Sequence, residues 1–138
     1  MDEGYQIVQV DKPEWGIIGG GIRDHNVQEA GASGEQSLCF VLHAPDEEIV
    51  GGLIGATHWD WFHIDLMWVK EELRGRGYGR RLLTLAEDEA RRRGARQAYL
   101  DTFSFQAPDF YKQHGYRVFG ELRDFPPGHQ RYYLTKVL

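Results

Sequence analysis

The sequence predicts an α+β fold (α/β in a looser naming): a single domain over residues 1–138, with one mixed, mostly antiparallel sheet flanked by helices. Three observations carry this. Strand-forming segments follow one another through short turns on both sides of the chain's middle, which suits antiparallel neighbours. One long amphipathic segment, about 78 to 93, lies between two strand segments and demands a crossover, hence one parallel pair. And 138 residues, 41% of them hydrophobic, suffice for one core and are too few for two ordinary domains.

The elements follow in order. Residues 5 to 10 (Tyr-Gln-Ile-Val-Gln-Val) are strand formers. A helix is expected from near Pro13, with Trp15, Ile18 and Ile22 on one stripe. Gly19, Gly20 and Gly21 predict a bend or break in it, at up to ~1 kcal/mol each relative to Ala. Residues 31 to 36 read as a loop. Leu38 to His43 and Glu48 to Thr57 are strands joined by the Ala44-Pro45-Asp46-Glu47 turn. Glycines 51, 52 and 55 in the second of these mark a bulge or a close backbone neighbour. After His58-Trp59-Asp60-Trp61 comes a strand from Phe62 to Val69. Strict alternation would put His63, Asp65 and Met67 on one face and Ile64, Leu66 and Trp68 on the other.

The long helix carries Tyr78, Leu82, Leu85, Ala86 and Ala90 as its apolar stripe and stops at Gly94, after three arginines suited to the negative end of its dipole. Gln97 to Phe103 is a strand, Pro108 to His114 a short helix ended by Gly115. Tyr116 to Glu121 and Gln130 to Val137 are the last strands, joined through Pro126-Pro127-Gly128.

Composition narrows the function classes. A net charge of −5 argues against a general nucleic-acid binder, whose phosphate contacts need a basic surface. Cys39 is the single cysteine, so no internal disulfide forms. The N-terminal residues show neither the basic nor the apolar region of a secretory signal, and no apolar run approaches the ~18 residues of a membrane span. A soluble, cytoplasmic protein without membrane contacts is expected. The six histidines are scattered without H-x-x-x-H or Cys/His spacing, so no metal site is expected.

The informative segment is Arg74-Gly75-Arg76-Gly77-Tyr78-Gly79, which follows a strand and opens the long helix. Glycines let a ligand approach the backbone closely, and the first N–H groups of a helix have no intrahelical acceptor. With the helix dipole and Arg74, Arg76, Arg80 and Arg81 nearby, this turn suits an anion such as a phosphate; the plain alternative is a tight turn with a solvated basic helix start. The P-loop pattern fails because Gly79-Arg80-Arg81 lacks Lys-Ser/Thr. The dinucleotide fingerprint fails in its glycine spacing, although Asp101 lies about twenty residues on.

The same six residues resemble the [Arg/Gln]-x-x-Gly-x-[Gly/Ala] signature of the GNAT superfamily of N-acetyltransferases. Leu66-Met67-Trp68-Val69 looks like that family's bulged fourth strand, and Phe110-Tyr111-Lys112-Gln113-His114-Gly115-Tyr116 like its Phe-Tyr-x-x-x-Gly-Phe/Tyr segment. Element order agrees over nearly the whole chain. His63-Ile64-Asp65, Ser104-Phe105-Gln106-Ala107-Pro108 and Pro127-Gly128-His129 look like a branch of small bacterial members.

The resemblance implies direct transfer of acetyl from acetyl-CoA to an amine, without a metal. It implies that the backbone of Arg74, Gly75, Arg76, Gly77, Tyr78, Gly79 and Arg80 holds the CoA pyrophosphate. Met67, Trp68 and Val69 would pair with the pantetheine arm and offer oxyanion donors at the bulge, the next strand splaying away. Tyr111 matches the tyrosine near the CoA sulfur and is the general-acid candidate. Ser104 stands where many members carry a cofactor-contacting Asn, and has shorter reach.

A lysine-like amine costs about 4.6 kcal/mol to deprotonate at pH 7, so a base or water must take its proton. His63 sits where some relatives carry a catalytic Glu, with Asp65 on the same face; a proton acceptor and a purely structural pair both fit, and water is the third choice. His25 and Asn26 continue the first helix's stripe and are acceptor-site candidates. Trp59 and Trp61 form either an acceptor wall or core packing. His58 and His129 read as surface loop histidines.

A small amine-bearing molecule is the expected acceptor. Acetylation of a protein lysine or N-terminus is the alternative within catalysis, and a non-catalytic acetyl-CoA-binding module the alternative outside it. A homodimer would match a common assembly among relatives.

Overall fold

The computed structural model describes residues 3–138, which fall into two compact units divided between Ser33 and Gly34. In the first, helix α1 spans Trp15–Ala30. It is unbroken through Gly19, Gly20 and Gly21: three glycines raise the cost of a helix without removing any of its hydrogen bonds. The helix buries none of its residues, so the expected stripe is displayed rather than packed, with Trp15 80% and Ile18 70% exposed. Residues 5 to 10, expected as a strand, form none. Strand propensity is realised only where a ladder partner exists, and no segment pairs with them.

The second unit is a six-stranded sheet in the order β1-β2-β3-β4-β6-β5. Its strands are β1 (Gln36–His43), β2 (Ile49–His58), β3 (Trp61–Val69), β4 (Gln97–Phe103), β5 (Arg117–Arg123) and β6 (Gln130–Val137). Helix α2 (Tyr78–Arg92) connects β3 to β4, the one parallel pair, and α3 (Pro108–Gln113) connects β4 to β5. Trp59 and Asp60, both at positive φ, close the β2–β3 hairpin in two residues, as the right-handed twist of paired strands favours.

Leu53, Phe62, Leu83, Leu100 and Leu134 are almost wholly excluded from water and fill the space between the sheet and α2. The buried stripe of α2 is Leu82, Leu83, Ala86, Glu87 and Ala90, not the expected set. Leu85 is half exposed, and Glu87 takes an inward position because it has partners there. Tyr116 donates its hydroxyl to Glu87 at 2.7 Å and Lys136 Nζ donates at 2.9 Å. Burying a carboxylate is tolerable only with such compensation.

One irregularity positions the site. The β2–β3 register runs Ile54↔Leu66 and then Gly55↔Ile64, so Asp65 is an extra residue without a partner. A Cβ at position 55 would strike the His63 carbonyl oxygen, so glycine is what lets the chains close over this bulge. The bulge therefore sits at Asp65, ahead of the expected Met67 to Val69. It also resets the alternation: Met67 packs against the core, while Leu66 and Trp68 are 66% and 51% exposed. Strict alternation placed Met67 with His63 and Asp65 because one inserted residue inverts every face beyond it.

Candidate active site

β3 and β4 pair over only three residues, Trp61↔Gln97, Phe62↔Ala98 and His63↔Tyr99. Beyond that rung they part, and a cleft of about 680 Å³ opens between the end of β3, the start of α2, β4 and α3. The hydrogen-bonding edge of β3 that faced β4 is left open there, as an extended ligand chain requires.

One end of this cleft is built by the turn before α2. Lys70 to Leu73 makes a short 3₁₀ turn, after which the Arg74 amide donates to the Glu71 carbonyl at 3.1 Å. Arg74 Nε donates to the Val69 carbonyl at 2.8 Å, tying the loop to the end of β3. So Arg74 contributes a strut to the cradle and its own amide is already used. Gly77 caps α2 in a left-handed conformation (φ 88°), and the helical ladder begins with Arg81 donating to the Gly77 carbonyl. The amides just ahead of that bond lie at the positive end of a 15-residue helix. Gly75, Gly77, Tyr78, Gly79 and Arg80 line the cleft. A Cβ on Gly79 would touch the Phe110 ring at 3.4 Å, so the helix start and α3 close tightly on one side of the cradle. This donor set, backbone amides with arginines around them, fits the diphosphate of a coenzyme A molecule.

At the other end, Tyr111 reaches the cleft from α3. The residue is 6% exposed, and its ring packs edge-on to Phe110 and Tyr116. Burial pushes its pKa up to about 12, so it keeps its proton and can donate it to an anion formed in the cleft.

Asp65, the bulged residue, lines the cleft on the β3 side. Its Oδ1 lies 3.1 Å from His63 Nδ1. His63 itself lies behind Asp65 rather than in the cleft lining, and its ring stacks on Tyr99 with centroids 4.5 Å apart and planes 16° apart. Tyr99 in turn bonds its hydroxyl to His58 Nε2 at 3.1 Å and receives the edge of Trp61. Burial, then the carboxylates of Asp65 and Glu35, raise the Tyr99 pKa above that of an ordinary tyrosine. Sequence reading missed Tyr99; its alternation in β4 marks a face, but nothing in the sequence says that face meets His63. His58, expected on the surface, is the half-buried last residue of β2.

Of the other expected residues, Met67, Trp68, Val69 and Arg74 line the cleft, and Arg76 does not. Ser104 is turned away: its Oγ accepts the Gln130 amide at 3.0 Å and its own amide donates to the Gln130 carbonyl, which fastens β4 to β6. Phe105, Gln106 and Ala107 line the cleft in its stead. Asp101, on β4 and held by Arg131 at 2.7 Å, is a further lining carboxylate not singled out from sequence as a site residue. Trp59 and Trp61 are 42% and 36% exposed and stand clear of the core; Trp61 lines a separate shallow hollow of about 490 Å³ with Tyr99, Arg117 and Phe119. His25 and Asn26 lie on α1, exposed and half-buried respectively. Among the described residues no group of three His, Cys, Asp or Glu is arranged for a metal ion, and no helix is long and apolar enough to cross a membrane.

Comparison with known proteins agrees with this geometry. The profile of the Acetyltransferase (GNAT) family matches residues 4–116. A blasticidin-S acetyltransferase of Streptomyces morookaense is 44% identical over 92 residues, 66% of this chain and 68% of that protein. Acetyltransferase Atu2258 of Agrobacterium fabrum is 34% identical over 112 residues, 81% of this chain and 82% of that one. The crystal structure of an acetyltransferase from Bacillus cereus superposes with a TM-score of 0.90 at 34% identity, covering 97% of this chain and 98% of the other.

Proposed function

The chain belongs to the GNAT acetyltransferase family and is an acyltransferase enzyme; from that premise we propose that it moves acetyl from acetyl-CoA directly to a primary amine of a small molecule. The observation that carries this reading is the parting of β3 and β4 directly beyond the His63↔Tyr99 rung, with an anion cradle at one end of the opening and Tyr111 at the other.

In this reading the amides from Gly75 to Arg80 hold the diphosphate, and the open edge of β3 from Met67 to Val69 lies along the pantetheine arm. The thioester then falls near Tyr111. Acetyl-CoA brings the activated acyl group; the protein orients it and handles two protons. As the amine nitrogen attacks the thioester carbonyl, its proton passes through a water to His63 Nε2, since the ring lies outside the cleft lining. Asp65, its Oδ1 3.1 Å from Nδ1, favours the proton on that nitrogen of the neutral ring, which leaves Nε2 with its lone pair. Collapse expels the CoA thiolate, which takes the Tyr111 proton, and the tyrosinate is reprotonated through water as His63 releases the proton it accepted. The β3 amides beyond the bulge face the developing oxyanion, a contribution of the order of 3 kcal/mol in comparable sites.

The relative from Streptomyces morookaense is named for acetylating a small molecule, blasticidin S, which supports a small acceptor. Asp65 gives the cleft a carboxylate on the β3 side and so favours a cationic amine there.

The test is release of thiol from acetyl-CoA with spermidine, glucosamine and benzylamine as acceptors. Turnover with at least one, abolished by a bulky residue at Gly77 that blocks the cradle, is expected. Calorimetry showing no affinity for acetyl-CoA or CoA would refute the reading at its base. For the base, His63→Ala is expected to lower kcat about a hundredfold near pH 7, the usual scale for a general base.

A further inference from the structure

We propose that Tyr99 is a positioning residue for the transfer: it holds the His63 imidazole by its face so that Nδ1 stays on Asp65 and Nε2 is presented to the acceptor amine. This rests on the reading of His63 as the proton acceptor.

His63 and Tyr99 form the last paired rung before the strands part. A side chain at such a position has backbone support on one side only. It would swing into the opening unless something else restrained it. Asp65 alone is a poor restraint: it is the unpaired residue of a bulge, with its side chain half exposed. A single contact at 3.1 Å draws Nδ1 toward the carboxylate and leaves the ring free to rotate about that direction.

A stacked partner removes that freedom. The Tyr99 ring lies against the imidazole face at 4.5 Å with only 16° between planes, a geometry that blocks rotation out of plane and leaves both ring edges accessible. One edge meets Asp65; the other carries Nε2. Tyr99 is itself fixed at two points, its hydroxyl on His58 Nε2 at 3.1 Å and its ring against the edge of Trp61 at 5.8 Å. The restraint thus runs from the β2–β3 hairpin to the imidazole without passing through the open part of the site.

The charged and titratable groups on this face are Asp65 from β3, His58 from β2 and Glu35 just ahead of β1. Arg117 of β5 lies beyond Thr135, across the shallow hollow. The lone pair of Nε2 therefore depends on Nδ1–H remaining on Asp65, and that depends on ring orientation.

Three variants and one spectrum test this. Tyr99→Leu keeps apolar bulk and removes the stack. It is expected to lower kcat about tenfold with the best amine of the three named above, the KM for acetyl-CoA staying within about twofold, the signature of lost orientation. Tyr99→Phe keeps the ring and is expected to recover to within about threefold of native. On a His63→Ala background, Tyr99→Leu should change kcat by less than about twofold, because a residue acting through His63 has nothing left to act on.

Nitrogen-15 NMR of the His63 ring at pH 8 reads the tautomer without any acceptor. Native protein should show the Nδ1–H form, and Tyr99→Leu a mixture of both. A loss of kcat as large on the His63→Ala background as on native, or an unchanged His63 spectrum in Tyr99→Leu, overturns the inference. If His63→Ala turns over like native enzyme, His63 is not the base and the inference falls with it, while acetyl transfer itself stands. If none of the amines is acetylated, the function fails and the spectrum alone decides the positioning.

Discussion

Strand β4 has two edges that could hardly differ more. Toward β6 it is paired along its whole length, seven rungs from Gln97↔Val137 to Phe103↔Arg131. Toward β3 it is paired for three and then abandoned. The closed edge is reinforced at every level: Thr135 Oγ1 donates to the Ala98 carbonyl, Ser104 and Gln130 bond reciprocally, and Arg131 clasps Asp101. The open edge has a bulge, a glycine cradle and a histidine held by stacking. The difference teaches that this sheet concentrates its stability beside its opening. A cleft between two strands exposes unpaired backbone and apolar side chains, and the neighbouring ladder must hold β4 in place without help from β3.

Substitutions on the two sides should therefore separate stability from activity. The largest loss is expected from Lys136→Met, which leaves Glu87 buried with only the Tyr116 hydroxyl: about 3–5 kcal/mol by denaturant unfolding, against a change within about 1 kcal/mol for Asp65→Ala at the open edge. Next comes Leu134→Ala, at the fully buried centre of β6, costing about 3 kcal/mol. Leu66→Ala, 66% exposed on β3, should stay within about 0.5 kcal/mol. Equal losses from the two leucines would erase the contrast.

A pH series sharpens it from the buried side. Tyr111 has a folded pKa of about 12 against 10.0 for the free side chain, so the folded state holds its proton more tightly. Its contribution is complete below pH 10 and is lost as pH rises toward 12. Tyr116, raised further still by burial and by Glu87, acts in the same direction. Stability should fall by roughly 2–3 kcal/mol for Tyr111 over that window, and Tyr111→Phe should flatten the slope. A smaller effect, on binding rather than on folding, is expected from Arg74→Ala. It removes the Val69 strut and some positive charge, and should raise the KM for acetyl-CoA about fivefold, a loss near 1 kcal/mol, with stability almost unchanged.

Much of this was legible in the chain. The glycines at 51, 52 and 55 marked close backbone approach, and all three prove to face neighbouring strands where a Cβ would collide. The turn from Arg74 to Gly79 announced a helix start suited to an anion, and it opens α2 at Tyr78. Pro108 and Gly115 bracketed α3. Where reading failed, the cause was tertiary. Residues 5 to 10 have strand propensity and no partner. Leu85 fits a helical stripe as well as Leu83 does, and only packing chose between them. Ser104 carries the right kind of group, yet the β6 backbone engages it.

The sequence by itself determined the order and type of nearly every element and the place of the glycine turn that opens α2. Those follow from local chemistry: glycine at positive φ, periodic apolar residues and helix ends. Only the tertiary structure decided that the bulge falls at Asp65, that β4 leaves β3 beyond the His63↔Tyr99 rung, and that His58 bonds to that tyrosine. These are relations between residues dozens of positions apart, and they depend on which strand lies beside which, a choice that local propensity does not encode.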